Sequence, residues 1–209
     1  MIDEVTMIEN WYWPKKDTKC WPWLQNERDL PQLITNLCTT KGTMIQAGGN
    51  CGFYTSLYAD MFQHVYTFEP DTLNFYCLTL NMKNRQNVYK NQCCLSDDHR
   101  LVSITGSKKN VGCYWVDTES KGNIPSILID DLALEECSLI HLDVEGWEFP
   151  AIRGASNTLD RCKPVVALEW MDHGARFGYP EKDILDWLGS KGYVRYQDIM
   201  HERIFFPNI

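Results

Sequence analysis

Short apolar runs alternate with helix-like segments from Thr43 onward, and this alternation limits the possible folds more than any other feature of the sequence. Apolar runs bounded by Gly, Pro, Asn or Asp are typical of strands that are buried on both faces. Such runs lie at residues 43–47, 64–68, 88–94, 139–143 and 164–169. Strands that alternate with helices predict an α/β, doubly wound fold with a mainly parallel sheet.

The segments between these runs predict the helices. Helical spacing of apolar residues extends over 52–61, and Asp71 is a candidate N-cap for a helix that reaches residue 83. Further helices are predicted over 147–159 and 181–191, with an antiparallel excursion over 101–115 and a short strand at 127–129. Residues 192–196 and 203–206 predict an antiparallel terminal hairpin at the sheet edge.

The N-terminal segment differs in character from the rest of the chain. It is rich in aromatic residues, which are Trp11, Tyr12, Trp13, Trp21 and Trp23, and a helix over 29–37 is predicted to follow them. Without repeats or long linkers, the chain reads as one domain, 1–209, with an aromatic extension (1–40) before the core (43–209). The aromatic residues fit a lid or sugar-stacking platform, an interface in a homo-oligomer, or a cover for a flank of the sheet.

Charge and composition narrow the class of partner. The net charge of -8 and the lack of a Lys/Arg run argue against nucleic-acid binding and against a polybasic membrane patch, and favour a small neutral or cationic acceptor. No apolar stretch approaches the ~20 residues of a membrane span, and acids occupy the place of a basic signal-peptide region. We therefore expect a cytoplasmic protein whose nine scattered Cys residues are reduced and inert.

A glycine turn follows the first core strand, with Gly48, Asn50 and Gly52 in G-x-N-x-G spacing. The G-x-G-x-x-G fingerprint of dinucleotide sites is missing, which disfavours a nicotinamide-dependent oxidoreductase. The second core strand ends at Glu69, and an acid there can accept two hydrogen bonds from a ribose diol. This geometry is shared by sites for NAD and for S-adenosylmethionine (SAM).

At this point the sequence resembles the FkbM-type family of SAM-dependent methyltransferases over about residues 43–170. The motifs that carry the resemblance are Gly48-Gly49-Asn50-Cys51-Gly52, Phe68-Glu69-Pro70, Leu95-Ser96-Asp97, Ile129-Asp130-Asp131-Leu132, Asp143-Val144-Glu145-Gly146-Trp147-Glu148 and Val166-Ala167-Leu168-Glu169. The resemblance implies a seven-stranded sheet like that of class I SAM methyltransferases. It also implies methylation, most naturally of a hydroxyl on a sugar, glycan or small metabolite.

The resemblance also implies which residues would contact SAM. The expected set is Gln46, Gly48, Asn50, Gly52, Glu69, Ser96, Asp97 and Asp143, with Glu69 at the ribose and Ser96 and Asp97 near the adenine edge. Two residues depart from the family pattern: Gln46 replaces the usual acid, and His141 stands where Lys is common. The first departure keeps open an alternative, a non-catalytic protein that binds SAM or a nucleoside.

The acceptor side of the expected site is acidic. The candidate catalytic residues are Asp143, Glu145, Glu169 and His173, which follow strands that should end at one crevice. One of them would act as the general base, or Asp143 and Glu169 would hold a Mg²⁺-like cation. Competing interpretations are that Glu145 caps the next helix, that His173 is only a loop residue and that Glu148 lies on a solvated helix face.

Overall fold

The computed structural model describes residues 2–208. Its strands are β1 (Val5–Ile8), β2 (Trp11–Pro14), β3 (Thr43–Ala47), β4 (His64–Phe68), β5 (Val88–Asn91), β6 (Cys94–Leu95), β7 (Leu101–Ser107), β8 (Asn110–Asp117), β9 (Ile124–Ile127), β10 (Leu139–Leu142), β11 (Val165–Glu169), β12 (Arg195–Ile199) and β13 (Glu202–Phe206). Its α-helices are α1 (Cys20–Asn26), α2 (Leu30–Thr35), α3 (Phe53–Ala59), α4 (Thr72–Asn81), α5 (Glu148–Arg153), α6 (Ser156–Cys162) and α7 (Glu181–Ser190).

The central sheet has seven strands in the order β12-β13-β11-β10-β3-β4-β5. Strands β3, β4, β5, β10 and β11 are parallel, whereas β13 pairs antiparallel with β11 and with β12. The predicted fold class is therefore confirmed, including the antiparallel terminal hairpin. Because the chain winds from β3 in both directions, the switch in strand order lies between β3 and β10, where α/β proteins bind their ligands.

Both faces of this sheet are covered. Met44 and Leu139 belong to the hydrophobic cluster that includes α2, α3 and α4, whereas Ile45 and Ile140 belong to the cluster on α5, α6 and α7. Successive side chains of a strand point to opposite faces, so a strand covered on both sides must be apolar throughout. This is why the short apolar runs identify the core strands of this chain correctly.

Three expectations about helices and strands are wrong in detail. The helix predicted over 147–159 is interrupted between α5 and α6, where Gly154 packs so closely on the Ser96 carbonyl oxygen that a Cβ would overlap it. The strand predicted over 88–94 ends at Asn91, and β6 belongs to a separate sheet with the order β6-β9-β7-β8. The short strand predicted at 127–129 lies at Ile124–Ile127 instead.

The N-terminal segment is regular rather than irregular, since β1 and β2 form an antiparallel hairpin and α1 follows. The backbone of Tyr12 donates to and accepts from the side chain of Asn81, which ties β2 to α4. Trp13 and Trp21 are buried in the core cluster, where their ring centroids lie 5.1 Å apart. Trp23 is the exception, because it is 53% exposed.

Asp17 connects this segment to the strand β8. Its carboxylate accepts hydrogen bonds from the Trp13 indole at 2.8 Å and from the backbone N–H groups of Cys20, Trp21 and Val111. The side chain is buried, so these donors replace the water that a carboxylate would otherwise hold. The N-terminal segment and the β7–β8 hairpin are thereby fixed to each other.

Candidate functional site

A cavity of about 480 Å³ opens at the carboxyl ends of β3, β4, β10 and β11. The strand ends contribute Gly48, Glu69, Asp143 and Glu169 to its wall. Strand β8 covers it from one side, and α1 together with the turn between β12 and β13 closes another. The cavity therefore lies at the topological switch point, the place that the strand order indicates for a ligand.

The glycine turn is shaped by contacts within the protein. Gly48 has φ of 82°, and a Cβ there would overlap the carbonyl oxygen of Asp143, at the end of the neighbouring strand β10. Gly52 has φ of 90° and precedes α3, but it does not line the cavity. Positive φ at these two positions favours glycine. Gly48 thus holds β3 and β10 close together beneath the cavity.

Asn50 links the glycine turn to its surroundings. Its backbone N–H donates to Glu69 Oε2 at 2.7 Å, and its side-chain Nδ2 donates to the Val111 carbonyl oxygen at 3.0 Å. The Asn74 side chain donates to the same carbonyl at 2.9 Å. Asn50 therefore orients Glu69 and holds β8 over the cavity, while the residue itself remains part of the cavity wall.

Glu69 lies against the glycine turn and is 5% exposed. Its second oxygen, Oε1, accepts from the Asp71 backbone N–H at 2.8 Å. Burial raises its pKa to about 8, although the two backbone donors act in the opposite direction. Each carboxylate oxygen keeps a further lone pair, so Glu69 can still accept from hydroxyl groups in the cavity.

Gln46 lines the cavity, but its side-chain oxygen already accepts hydrogen bonds from neighbouring elements. Its Oε1 accepts from the Thr55 hydroxyl at 2.7 Å and from the Thr67 hydroxyl at 3.3 Å. An acid at this position would offer a charge in place of the amide. Here the side-chain oxygen instead fixes α3 against β3 and β4.

Ser96 and Asp97 do not line the cavity, contrary to their expected place at the adenine edge. Ser96 is fully buried, and Asp97 forms ion pairs with Arg153 and with Arg100. The chain turns away after β6, so these side chains lie behind the cavity wall. The wall on this side is apolar, and it is formed by Phe68, Cys93, Cys94, Leu95, Ile104, Val116 and Trp147.

Trp147 supplies the polar atom of this apolar wall. The ring is 2% exposed and packs edge-on against Phe177, with centroids 5.0 Å apart. Its indole Nε1 is buried and has no hydrogen-bond partner within residues 2–208. A buried donor without a partner costs about 1–3 kcal/mol, so this N–H is a place where a ligand acceptor would be favourable.

The predicted catalytic residues all line one cavity, and three of them lie close to one another. His173 Nδ1 lies 3.2 Å from Glu145 Oε2 and 3.4 Å from Glu169 Oε2, and Asp143 lines the same cavity. Glu145 has φ of 57° and Gly146 has φ of 103°. Left-handed backbone at a non-glycine residue is strained, and such strain is concentrated at functional sites. A Cβ on Gly146 would lie 2.6 Å from the His173 carbonyl oxygen. The glycine therefore lets the segment that carries His173 pack close to Glu145.

The crowding of these acids changes their protonation. Burial, followed by the charges of Asp143 and Glu145, raises the pKa of Glu169 to about 11. Burial and the nearby carboxylates of Glu202 and Glu145 raise the pKa of Asp143 well above its ordinary value. The pKa of Glu145 is also raised by burial, against the opposing effect of His173. A positive charge in the cavity would lower all three.

Glu148 is not on a solvated helix face, as one interpretation had it, but is 5% exposed. Its Oε1 accepts from the backbone N–H groups of Val144 and Gly146 at 3.0 and 3.1 Å. Glu148 therefore accepts the backbone hydrogen bonds of the turn before α5. This is the capping role that one interpretation of the sequence gave to Glu145. Glu145 remains available to the cavity.

Three donor atoms of Glu145, Glu169 and His173 lie within 4.8 Å of one another, close enough to hold a cation. The predicted metal pair was Asp143 and Glu169, whereas the structure groups Glu169 with Glu145 and His173. An imidazole in the donor set does not suit Mg²⁺, which prefers oxygen ligands. The residues therefore do not match the Mg²⁺ site expected from the sequence.

Sequence reasoning missed the cavity residues that follow Trp23 and those on the terminal hairpin, which are Leu24, Glu27, His201 and Glu202. His201 Nε2 lies 2.9 Å from Glu27 Oε1, and its ring stacks on Trp23 at 5.4 Å. The signal that could have found Glu202 was the pairing of the hairpin with β11. In that pairing Glu202 lies opposite Glu169, at the end of β11. The predicted strand began one residue later, at Arg203.

The cysteine thiols take no part in the chemistry described so far. All nine Cys residues are free, and burial raises the pKa of Cys93 to about 11 and of Cys94 to about 12. Cys93 and Cys94 are therefore protonated at neutral pH and act as small apolar side chains. Within residues 2–208, every helix is too short or too polar to cross a membrane.

Comparison with known proteins places this site in context. Residues 46–195 match the family described as Methyltransferase FkbM domain. No curated protein matches the chain. The matched range contains the glycine turn, Glu69 and the group formed by Glu145, Glu169 and His173.

Two solved structures show the same fold. The chain is similar to methyltransferase FkbM from Methylobacillus flagellatus, at 18% identity and a TM-score of 0.50, over 78% of this chain and 43% of that one. It is also similar to precorrin-6y C5,15-methyltransferase from Geobacter metallireducens, at 12% identity and a TM-score of 0.50, over 97% of this chain and 92% of that one. The chain thus spans less than half the length of the Methylobacillus protein.

Proposed function

The chain belongs to the FkbM family of SAM-dependent methyltransferases, and from this premise we propose that it methylates a hydroxyl group of a small acceptor such as a sugar, glycan or metabolite. The observation that carries the proposal is a single cavity that joins two groups. One is Glu69 with the glycine turn, and the other is the group of Glu145, Glu169 and His173.

The first group fits the adenosyl portion of SAM. Glu69 is held by Asn50 and Asp71 with lone pairs left for a ribose diol. The apolar wall offers a slot for the adenine ring, where the unpartnered indole N–H of Trp147 would donate to a ring nitrogen. Asp143, beside Gly48, would then face the charged amino-acid portion.

The second group fits an acceptor hydroxyl. When bound, SAM supplies a methyl carbon on a positively charged sulfur. We assign His173 as the general base, with Glu145 and Glu169 facing Nδ1 and leaving Nε2 for the proton. The hydroxyl oxygen forms the new bond to the methyl carbon as the carbon–sulfur bond breaks. The electron pair stays on sulfur, and the hydroxyl proton passes to His173.

The aromatic and apolar walls support this chemistry by excluding water. Methyl transfer from sulfur is an in-line displacement, so its rate depends chiefly on how the acceptor is aligned. The strained backbone at Glu145 and the hydrogen bonds that Glu148 accepts from the same turn hold Glu145 in place before any ligand binds. No metal is included in the proposed mechanism, because the donor set does not suit Mg²⁺.

Calorimetric titration with SAM, S-adenosylhomocysteine (SAH) and NAD tests the proposal first. Binding of SAM and SAH without NAD is expected, and binding of NAD alone would overturn it. Transfer of a labelled methyl group to a panel of sugars and hydroxylated metabolites then tests catalysis. We expect His173→Asn to lower turnover about 10²–10⁴-fold with little change in SAH affinity. Full turnover in Asp143→Asn, Glu169→Gln and His173→Asn would refute the assigned acceptor site.

A further inference from the structure

A second group of carboxylates lines the cavity where α1 and the terminal hairpin enclose it. Its members are Glu27 and Glu202, with Asp143 between them and the group around His173. Asp143 responds to both, since Glu202 and Glu27 are among the charges that raise its pKa. Glu27 and Glu202 lie outside the range that matches the family, 46–195.

Glu202 is placed at a cost to the folded protein. It pairs directly with Glu169 in the antiparallel register of β13 and β11, so two buried acids lie side by side and the charge of one disfavours ionisation of the other. Glu202 is 3% exposed, and its Oε2 has no hydrogen-bond partner in the part of the chain that the structure describes. His141 Nε2 lies 3.3 Å from its other oxygen, Oε1. A buried carboxylate oxygen on a cavity wall without a donor indicates a donor from a ligand.

The cavity as a whole lacks positive charge. Its wall carries the carboxylates of Glu27, Glu69, Asp143, Glu145, Glu169 and Glu202. The basic residues on the same wall are Lys19, His173 and His201. His173 already faces Glu145 and Glu169, and His201 already faces Glu27. SAM carries a net charge of about +1, from its sulfonium, ammonium and carboxylate groups, so the acidic wall can accommodate a second cation beside Glu202.

The surroundings of Glu202 and Glu27 suit an organic cation better than a metal ion. The same side of the cavity presents the rings of Tyr54 and Trp23 and the apolar side chains of Leu24 and Met171. A hydrated metal ion requires oxygen ligands or waters in all directions, whereas an ammonium group on a carbon skeleton combines charge with apolar surface. Tyr54 lies close to these acids. Burial raises the pKa of its phenol, and the nearby charges of Glu27, Asp143 and Glu202 raise it further.

We propose that Glu202 and Glu27 bind a protonated amine of the methyl acceptor, so that the substrate is an amine-bearing small molecule such as an amino sugar. This inference rests on the proposed function and adds the charge of the acceptor to it. The amine is anchored at Glu202 while a hydroxyl of the same molecule faces His173. Glu169, which is paired with Glu202 in the sheet and lies near His173, connects the two positions.

The test compares matched amine and neutral probes in the presence of saturating SAH. Glucosamine is titrated against glucose and N-acetylglucosamine, and tyramine against 4-ethylphenol, at neutral pH by calorimetry or ligand-observed NMR. In each set we expect the amine to bind at least ten-fold more tightly than its neutral partners. Glu202→Gln should remove most of this preference and leave SAH affinity within two-fold. Glu119→Gln, a change at an exposed acid, should leave both unchanged.

The outcomes separate this inference from the proposed function. If SAH fails to bind the unchanged protein, the proposed function fails. If SAH binds but no amine is preferred over its neutral partner, only the amine site is refuted. Saturable binding of Mg²⁺ or Mn²⁺ that depends on Glu202, without amine preference, would also refute it, in favour of a metal. Thermal melting gives a second check, because Glu202→Gln should raise the melting temperature of the ligand-free protein by relieving the repulsion with Glu169.

Discussion

Three glutamates in or beside the cavity wall have different roles. The hydrogen bonds that each carboxyl group accepts determine its role. Glu148 directs one oxygen at two backbone N–H groups and holds a turn. Glu69 accepts one backbone N–H on each oxygen and keeps lone pairs for a ligand. Glu169 faces other acids, and its raised pKa is the consequence. The same residue type holds a turn in the first case, keeps free lone pairs in the second and favours its protonated form in the third.

Glu69→Gln should weaken binding of SAH by about ten-fold or more, because the amide puts an NH₂ donor where a carboxyl oxygen would accept from a ribose hydroxyl, and a buried hydrogen bond left unmade costs about 1–3 kcal/mol. Calorimetry measures the change. The exposed acid Glu119, changed to Gln, is the matched control. An unchanged SAH affinity in Glu69→Gln, with the fold intact by circular dichroism, would remove Glu69 from the site.

Predicted site residues that follow the strands of the central sheet line one cavity, whereas Ser96 and Asp97 do not. Glu69, Asp143 and Glu169 follow buried strands, and the carboxyl ends of parallel strands meet at one edge of the sheet. Ser96 and Asp97 follow the short strand β6, which belongs to another sheet, and the turn directs Asp97 to Arg153. Motif spacing gives the order of residues along the chain, but the direction of a turn depends on distant partners.

Elements of the central sheet follow from local sequence, and elements that cover it do not. β3 and β4 have the predicted bounds because each is a short, mainly apolar segment between polar breaks. The β1–β2 hairpin was missed because its stability comes from Asn81 and the buried Trp13, which are far apart in the sequence. The same holds for α1, whose start depends on Asp17 rather than on a pattern of its own.

Asp17→Ala should lower the free energy of unfolding by about 2–4 kcal/mol, because it leaves several buried N–H groups on the N-terminal segment and on β8 without an acceptor. Urea denaturation measures this loss. Asp29 is an exposed acid in the same segment whose side chain makes no cap hydrogen bond, so Asp29→Ala should stay within about 0.5 kcal/mol. Equal effects of the two changes would show that Asp17 does not connect these elements.

At the scale of the whole molecule, the enclosed acidic cavity makes stability depend on pH. The net charge of -8 adds general repulsion, and the cavity concentrates acids where water is scarce. Burial raises the pKa of Glu69 from 4.5 to about 8 and that of Glu148 from 4.5 to about 7. Both groups therefore retain protons in the folded state at pH values where the unfolded chain has released them.

The direction of the effect follows from this difference in bound protons. Between about pH 4.5 and pH 8 the folded protein holds more protons than the unfolded chain, so each rise in pH favours unfolding. We expect the melting temperature of the ligand-free protein to fall by at least about 5 °C from pH 5 to pH 8, as measured by calorimetric scans. Glu69→Gln should make this slope shallower, because its amide does not titrate. A melting temperature that is constant or rises over this range would mean that the buried acids are already neutralised by partners, and the case for a cationic ligand in the cavity would weaken with it.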